Sequence, residues 1–213
     1  MNTLIEQDFV DAAAQLGCEV PAIKAVSEVE SAGAGFEVDG RLKILFEAHK
    51  FHLFTGGYFD KTHPGISSPT WNRALYGRDQ DAEWKRLALA RDATEKAAKA
   101  LVPGVDPFAA LKSASWGRFQ IMGFNHRMCG FEDAADMVRA FMTGERAHLM
   151  AFCKFVATKR ATGRAPFNGR TLDECLRRKD FTGFALGYNG PAAEENHYPA
   201  KMQAAYLKHG GRG

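Results

Sequence analysis

The sequence predicts a mainly α fold, a helical bundle with one small β-hairpin. Three observations carry this. Apolar side chains recur at three- and four-residue spacing through most of the chain. β-type patterning is confined to one stretch near residue 40. No unit repeats at a period of roughly 20–50 residues, which excludes a solenoid. A chain of 213 residues, 46% hydrophobic and 11% aromatic, is ordinary for a globular protein with one substantial core. A single domain over 1–213 is expected.

Leu4, Ile5, Phe9, Ala12, Ala13 and Leu16 share one face of a helix over 3–16, and Gly17 stops it. Pro21 opens a second helix, which runs through Ile23, Val26 and Glu30 to a break at Gly33. The stretch GFEVDGRLKILF holds the turn signal Asp39-Gly40 between short apolar runs and predicts the hairpin within 34–48. Residues 56–80, rich in Gly, Pro, Ser, Asn and Asp and holding Pro64, Pro69 and Trp71, read as an ordered surface loop. In the helix over 81–100, Trp84, Leu87, Ala88 and Arg91 fall on turns of one face. Pro103 and Pro107 bracket a loop, and further helices are expected over 107–114, 119–128, 132–142, 144–161, 171–178 and 180–187.

A formal net charge of +3 and a pI of about 8.7 are too mild for a dedicated nucleic-acid surface but favour an anionic partner. The basic residues Lys154, Lys159, Arg160, Arg164, Arg170, Arg177, Arg178 and Lys179 face only Asp173 and Glu174 within 154–179, a run expected on a solvated face. The first residues, MNTLIEQDFVDAAAQLG, lack the apolar core of a secretion signal, and no later stretch approaches the roughly 20 apolar residues of a membrane helix. A cytoplasmically made chain without stable membrane insertion is expected. Cys18, Cys129, Cys153 and Cys175 are widely spaced with no CxxC pair, which points to buried free thiols.

One carboxylate is misplaced for a surface group. An α-helix advances about 100° per residue; with Ile23 at zero, Val26 falls near 300° and Glu30 near 340°. Glu30 therefore lies on the apolar stripe. Glu28 falls near 140°, close to Lys24 near 100°, and is expected as a solvated i,i+4 partner of that lysine. A carboxylate on an apolar face is costly, and desolvation raises its pKa, which suits a general acid at neutral pH. The bland alternative is a buried Glu30 held by an arginine or by backbone N–H groups.

Two further segments bear on this. In SASWGRFQIMGFN, residues 113–125, Gly117 precedes Gln120, and a small residue beside an amide lets a sugar approach the backbone; a helix start capped by Ser115 explains the same letters. In ALGYNGP, residues 185–191, Tyr188 and Asn189 offer hydrogen bonds at a helix end, although a capped terminus also fits.

Taken in order, ESAGAGF, LFEAHKF, SWGRFQIMG and ALGYNGP resemble the N-acetylmuramidase family of phage endolysins, and are similar in pattern to goose-type lysozymes and soluble lytic transglycosylases. The resemblance spans roughly residues 5–207. It implies a lysozyme-like fold around a substrate groove, without metal or other cofactor, that cleaves the β-1,4 bond between N-acetylmuramic acid and N-acetylglucosamine. Under it Glu30 matches the catalytic acid and Ser31 follows it in the Glu-Ser pair; Gln120, after Gly117, matches the groove glutamine, and Tyr188 with Asn189 the aromatic-amide pair near the acid. It also implies a monomer whose partner is the peptidoglycan glycan strand, released to the wall by a holin.

The second carboxylate stays open, with Glu47, Asp39, Asp60 and Glu37 as candidates. A strand over 43–49 would put Leu45, Glu47 and His49 on one face, so Glu47 either faces a cleft or pairs with Lys43, Arg41 or His49. Competing readings are a lytic transglycosylase and a non-catalytic wall-binding module, the latter prompted by the basic run and by Trp71 and Tyr58. His49 and His52 lack a third ligand at metal-binding spacing, and no GxSxG elbow occurs.

Overall fold

The computed structural model describes residues 3–31, 33–77, 79–160 and 169–212. In chain order its elements are α1 (Glu6–Leu16), α2 (Val20–Glu30), β1 (Ile44–Phe46), α3 (Ala48–Phe54), α4 (Gln80–Lys99), α5 (Ala109–Lys112), β2 (Ala114–Trp116), β3 (Ile121–Met122), α6 (Ala134–Phe141), α7 (Glu145–Thr158), α8 (Leu172–Arg177), α9 (Phe181–Asn189) and α10 (Tyr198–Lys208). The fold is mostly helical with one small antiparallel sheet, as the sequence predicts. The chain divides into two compact units, one of Met1–Gly35, Met128–Gly130 and Gly144–Gly213, the other of Phe36–Arg127 and Phe131–Thr143.

The named elements of the first unit are all helices, beside one isolated bridge between Arg160 and Thr171. Gly17 ends α1 in the left-handed conformation, φ 66°, and Pro21 lies in the first turn of α2, where its missing N–H leaves no hydrogen bond unmade. α2 packs on α1 and α10, α7 on α1 and α8, and α9 on α8 and α10. Ile23, Val26, Phe152, Val156, Leu176, Phe184 and Met202 fill the core between them. α10 was not foreseen; it carries the terminal YLKHGGRG as helix through Lys208. Few apolar residues mark α10; Met202, Ala205 and Tyr206 suffice to bury one side. The Tyr206 hydroxyl also donates to Glu19 Oε2 at 2.5 Å.

Glu28 is exposed, as expected, but its partner differs. Lys208 Nζ lies 2.9 Å from Glu28 and His209 Nε2 2.8 Å, while Lys24 turns to Glu6 on α1. A cation from α10 takes Glu28 and the Glu6 carboxylate of α1 takes Lys24, so tertiary packing wins over the local i,i+4 pairing. Much of the basic run is paired too: Arg170 with Asp180, Arg177 with Asp173 and Lys179 with Glu19. Arg164 lies outside the described residues, and the helix expected over 144–161 ends earlier, at Thr158, with Lys159 already extended.

In the second unit β1 pairs antiparallel with β2 (Leu45 opposite Ser115) and β2 with β3 (Trp116 opposite Ile121). The hairpin expected within 34–48 is reduced to a bridge between Phe36 and Leu42, because the apolar run after Asp39-Gly40 pairs instead with residues some 70 positions on. That pairing also corrects the helices expected over 107–114 and 119–128: α5 stops at Lys112, β2 follows, and β3 leads into a short 3-10 turn at Gly123–Asn125. At Gly123 a Cβ would lie 2.0 Å from the Leu111 carbonyl oxygen, so only glycine lets the turn dock on α5.

β1 also ends earlier than a strand over 43–49 would. Its last residue is Phe46, Glu47 becomes the residue before the first turn of α3, and α3 itself was not foreseen. Side chains of α4 seal the open edge of β1. The Gln80 amide exchanges two 2.9 Å bonds with the Ile44 backbone, Glu83 accepts the Phe46 N–H at 2.8 Å, and Arg86 Nη1 donates to the Phe46 carbonyl at 3.0 Å. The inward face of α4 is therefore Glu83, Leu87, Ala90, Thr94 and Ala97, not the expected face of Trp84, Ala88 and Arg91. A buried glutamate on that stripe reads as outward-facing until its backbone partners are known.

All four cysteines are free thiols; Cys129, Cys153 and Cys175 are buried and Cys18 half-buried. No described helix is long and apolar enough to cross a membrane.

Candidate active site

Glu30 is the last residue of α2, half-buried on the apolar stripe that helical geometry assigned to it. Ser31 leaves the helix in an extended conformation, its N–H still bonded to the Ser27 carbonyl at 3.1 Å, and Gly33 follows with φ 89°. The chain is then pinned again: the Gly35 N–H donates to the buried Glu145 carboxylate, in the first turn of α7, at 2.5 Å. Glu30 thus sits between a helix end and an anchored turn.

Three residues of the same unit surround it. Asn189, at the end of α9, donates from Nδ2 to Glu30 Oε1 at 2.7 Å. Gly190, φ 79°, turns the chain away just after it. Tyr188 stacks on Phe184 at 5.7 Å and meets Phe152 and Phe155 edge-on at 5.6 and 5.9 Å, an aromatic wall beneath the acid. Lys159, just past α7, lies over the Tyr188 and Phe155 rings at 5.4 and 5.1 Å and donates to the Tyr188 carbonyl at 3.3 Å.

These surroundings set the acid. Burial pushes Glu30 from the usual carboxylate range up to about 7, against the opposing pulls of the Asn189 hydrogen bond and the Lys159 charge. The carboxyl-terminal end of a helix dipole acts in the same direction as burial. Burial likewise lowers Lys159, and burial beside Glu30 raises the Tyr188 phenol far above its ordinary value. At neutral pH, Glu30 is then divided between a protonated and an ionised form, and the Asn189 donor on Oε1 leaves Oε2 to carry the proton.

The other sequence-predicted residues lie in the second unit. Gly117, φ 67°, begins the turn between β2 and β3 and donates its N–H to the Lys43 carbonyl at 2.8 Å. Gln120, φ 47°, braces that turn: Oε1 accepts from Ser115 Oγ at 2.8 Å, and Nε2 donates to the carbonyls of Gly117 and Lys43 at 2.8 and 3.3 Å. Glu47, half-buried, pairs with His49 Nε2 at 3.2 Å, and its N–H bonds the Ser113 carbonyl at 2.9 Å. His52 pairs instead with Asp60 at 2.8 Å. Among the described residues no three His, Cys, Asp or Glu side chains converge as metal ligands would.

A search among curated proteins finds no match. The profile of the Muramidase family, described as N-acetylmuramidase, matches residues 19–210, nearly the whole chain. The chain belongs to the N-acetylmuramidase family. It is a glycosidase-type peptidoglycan hydrolase. Among solved structures, the chain is similar to the crystal structure of the Burkholderia AP3 phage endolysin, at 32% identity and a TM-score of 0.77 over 97% of this chain and 70% of that one.

Near neutral pH the surroundings of Glu30 keep part of it protonated and leave one oxygen unoccupied by the Asn189 bond. Lys159 escaped the sequence reading because it was counted within the basic run; its spacing from Phe155 at i,i+4 was the available signal. Tyr76, in the loop read as surface, was also missed, although its phenol is raised by burial and by the nearby Glu47 charge.

Proposed function

We propose that this muramidase cleaves the β-1,4 bond between N-acetylmuramic acid and N-acetylglucosamine, with Glu30 as general acid. The carrying observation is a buried carboxyl raised to about 7 and oriented by Asn189. Glu30 gives the proton on Oε2 to the bridging oxygen as the bond from C1 of the muramoyl ring to that oxygen breaks. The positive charge growing on that ring meets the negative charge growing on Glu30, and Lys159 and Asn189 stabilise the carboxylate produced. Water adds to C1, its proton passing to a carboxylate, for which we propose Glu47. Ser31 and Tyr188 line the acid, and Gly117 and Gln120 shape the backbone turn offered to the sugar.

The two units together form one catalytic domain under this proposal, acting as a monomer on peptidoglycan with no nucleic-acid partner and no cofactor. As an endolysin the protein is made in the host cytoplasm and reaches the periplasmic wall through a holin. The deciding experiment digests purified peptidoglycan, reduces the products with borohydride and analyses them by mass spectrometry. New muramitol ends are expected; new glucosaminitol ends would refute the bond assignment.

A second reading is favoured by one observation: within its own unit Glu30 is shifted by an amide and a cation but by no carboxylate. A single acid suffices for a lytic transglycosylase, in which the muramoyl 6-hydroxyl attacks C1. The same digest separates the two, because 1,6-anhydro ends have no reducing group for borohydride to convert.

A further inference from the structure

Trp71 is 59% exposed, an unusual position for the largest side chain, yet its indole is held in place. Nε1–H donates to the Tyr76 hydroxyl at 2.6 Å, and the two rings lie 5.9 Å apart at 52°. The only polar atom of the indole is thus satisfied by protein while its ring stays open to solvent. Arg73 projects from the turn between them, a short 3-10 helix capped by Asn72 Oδ1 accepting the Ala74 N–H at 3.0 Å. Its guanidinium lies 5.4 Å over the Tyr76 ring and makes no ion pair with any described carboxylate. Burial and the Glu47 charge raise the Tyr76 phenol, which places this group of rings beside Glu47. A fixed open aromatic face beside an uncommitted cation suits a ligand with an apolar sugar face and a carboxylate.

We propose that Trp71, Tyr76 and Arg73 form a receptor for the peptide-substituted muramoyl residue of the glycan strand, Trp71 stacking on the sugar and Arg73 pairing with a stem-peptide carboxylate. This rests on the peptidoglycan-cleaving reading of the protein. In intact strands the muramoyl lactyl carboxyl is consumed in the amide to the stem peptide, so the free carboxylates are those of the peptide. Charge complementarity therefore selects a peptide-bearing strand over an uncharged polymer of N-acetylglucosamine. The receptor supplies binding and selectivity, and Glu30 needs none of it to donate its proton.

The test uses the full chain with three probes: uncross-linked peptide-bearing glycan strands, the same strands stripped of peptide by an amidase and with the lactyl carboxylates so exposed capped as methylamides, and chitohexaose. Of the three tryptophans, Trp116 is buried and Trp84 half-buried with its N–H bonded to the Leu42 carbonyl, so a stacked sugar is reported chiefly by Trp71 emission. A blue shift is expected with all three probes and is lost in Trp71→Ala. Trp71→Ala should raise KM about tenfold on both glycan strands, an order of magnitude typical of one lost stacking contact. Trp71→Phe restores most of that, which separates stacking from a folding defect. Arg73→Gln should raise KM severalfold on peptide-bearing strands alone. Unchanged KM in Trp71→Ala, or an equal loss on stripped strands in Arg73→Gln, overturns the proposal. Wild-type protein that shows the emission shift but releases neither reducing ends nor 1,6-anhydro ends refutes the cleavage reading while leaving the receptor standing.

Discussion

Asn189 Nδ2 donates to Glu30 Oε1 at 2.7 Å, joining the ends of two helices that lie 159 residues apart in sequence. This bond orients a carboxyl that burial holds near pKa 7 and opposes that burial by favouring the ionised form. The acid is thereby tuned between two failures. Under the proposed role, Glu30 without desolvation would be spent at neutral pH, and without a donor it would be too weak an acid for the leaving oxygen.

Replacing the acid tests its role most directly. Glu30→Gln keeps shape and the Asn189 contact but has no transferable proton, so reducing-end release from peptidoglycan should fall by about 10²–10⁴-fold. Stability should move the other way. Because the folded pKa lies above the unfolded value, folding takes up a proton between about pH 4.5 and 7; Glu30 thus costs nothing below pH 4.5 and most above pH 7. Thermal melts should show the variant more stable than wild type at pH 8, by at most about 3 kcal/mol, with the difference vanishing at pH 4. Retained lytic activity would remove Glu30 from the mechanism.

The same tuning predicts a pH profile. If Glu30 is the proton donor, kcat/KM requires its protonated form and should fall as pH rises through about 7. Asn189→Ala removes a group that favours the carboxylate and should move this limb upward by roughly one pH unit. Lys159→Met should move it in the same direction, and Lys159→Arg should leave it near the wild-type position. A limb that stays fixed in Asn189→Ala and Lys159→Met would show that a different group controls the rate.

Helical geometry was enough to separate Glu30 from Glu28, because direction around a helix follows from spacing alone. The same rule failed for Glu83, a buried carboxylate whose partners are backbone groups of β1 some 37 residues away. Pairing at long sequence separation is also why the short hairpin was misread: Leu45 finds Ser115, and no local pattern specifies that choice. α10 was lost for a different reason, since its apolar face is three residues wide. Local periodicity thus placed Glu30 on the inward side of α2, while its contacts with Asn189 and Lys159 needed the tertiary fold.

The anchor behind the acid is a stability prediction. Glu145 is 2% exposed and receives the Gly35 N–H at 2.5 Å, closing the turn that follows Glu30. Glu145→Ala leaves that N–H without its charged acceptor and opens a cavity. Chemical denaturation should show a loss of about 2–3 kcal/mol. Since the turn also positions Ser31, kcat should drop while KM changes little. A variant as stable as wild type would show that the turn is held by other groups.

Glu47 provides the test of a two-carboxylate mechanism. Its partner His49, at 3.2 Å, comes from the first turn of α3, and the Tyr76 phenol lies close enough to be raised by its charge. If Glu47 accepts the proton of the attacking water, Glu47→Gln should lower kcat by about 10²-fold or more with little change in KM. His49→Ala should have a smaller effect, since a carboxylate without its imidazole partner still accepts a proton. In an inverting enzyme an external nucleophile such as azide, smaller than the missing base and needing no deprotonation, should restore turnover to Glu47→Gln. Near wild-type kcat in Glu47→Gln would assign the residue to the structure of the β1–α3 junction and leave Glu30 as the sole carboxylate of the reaction.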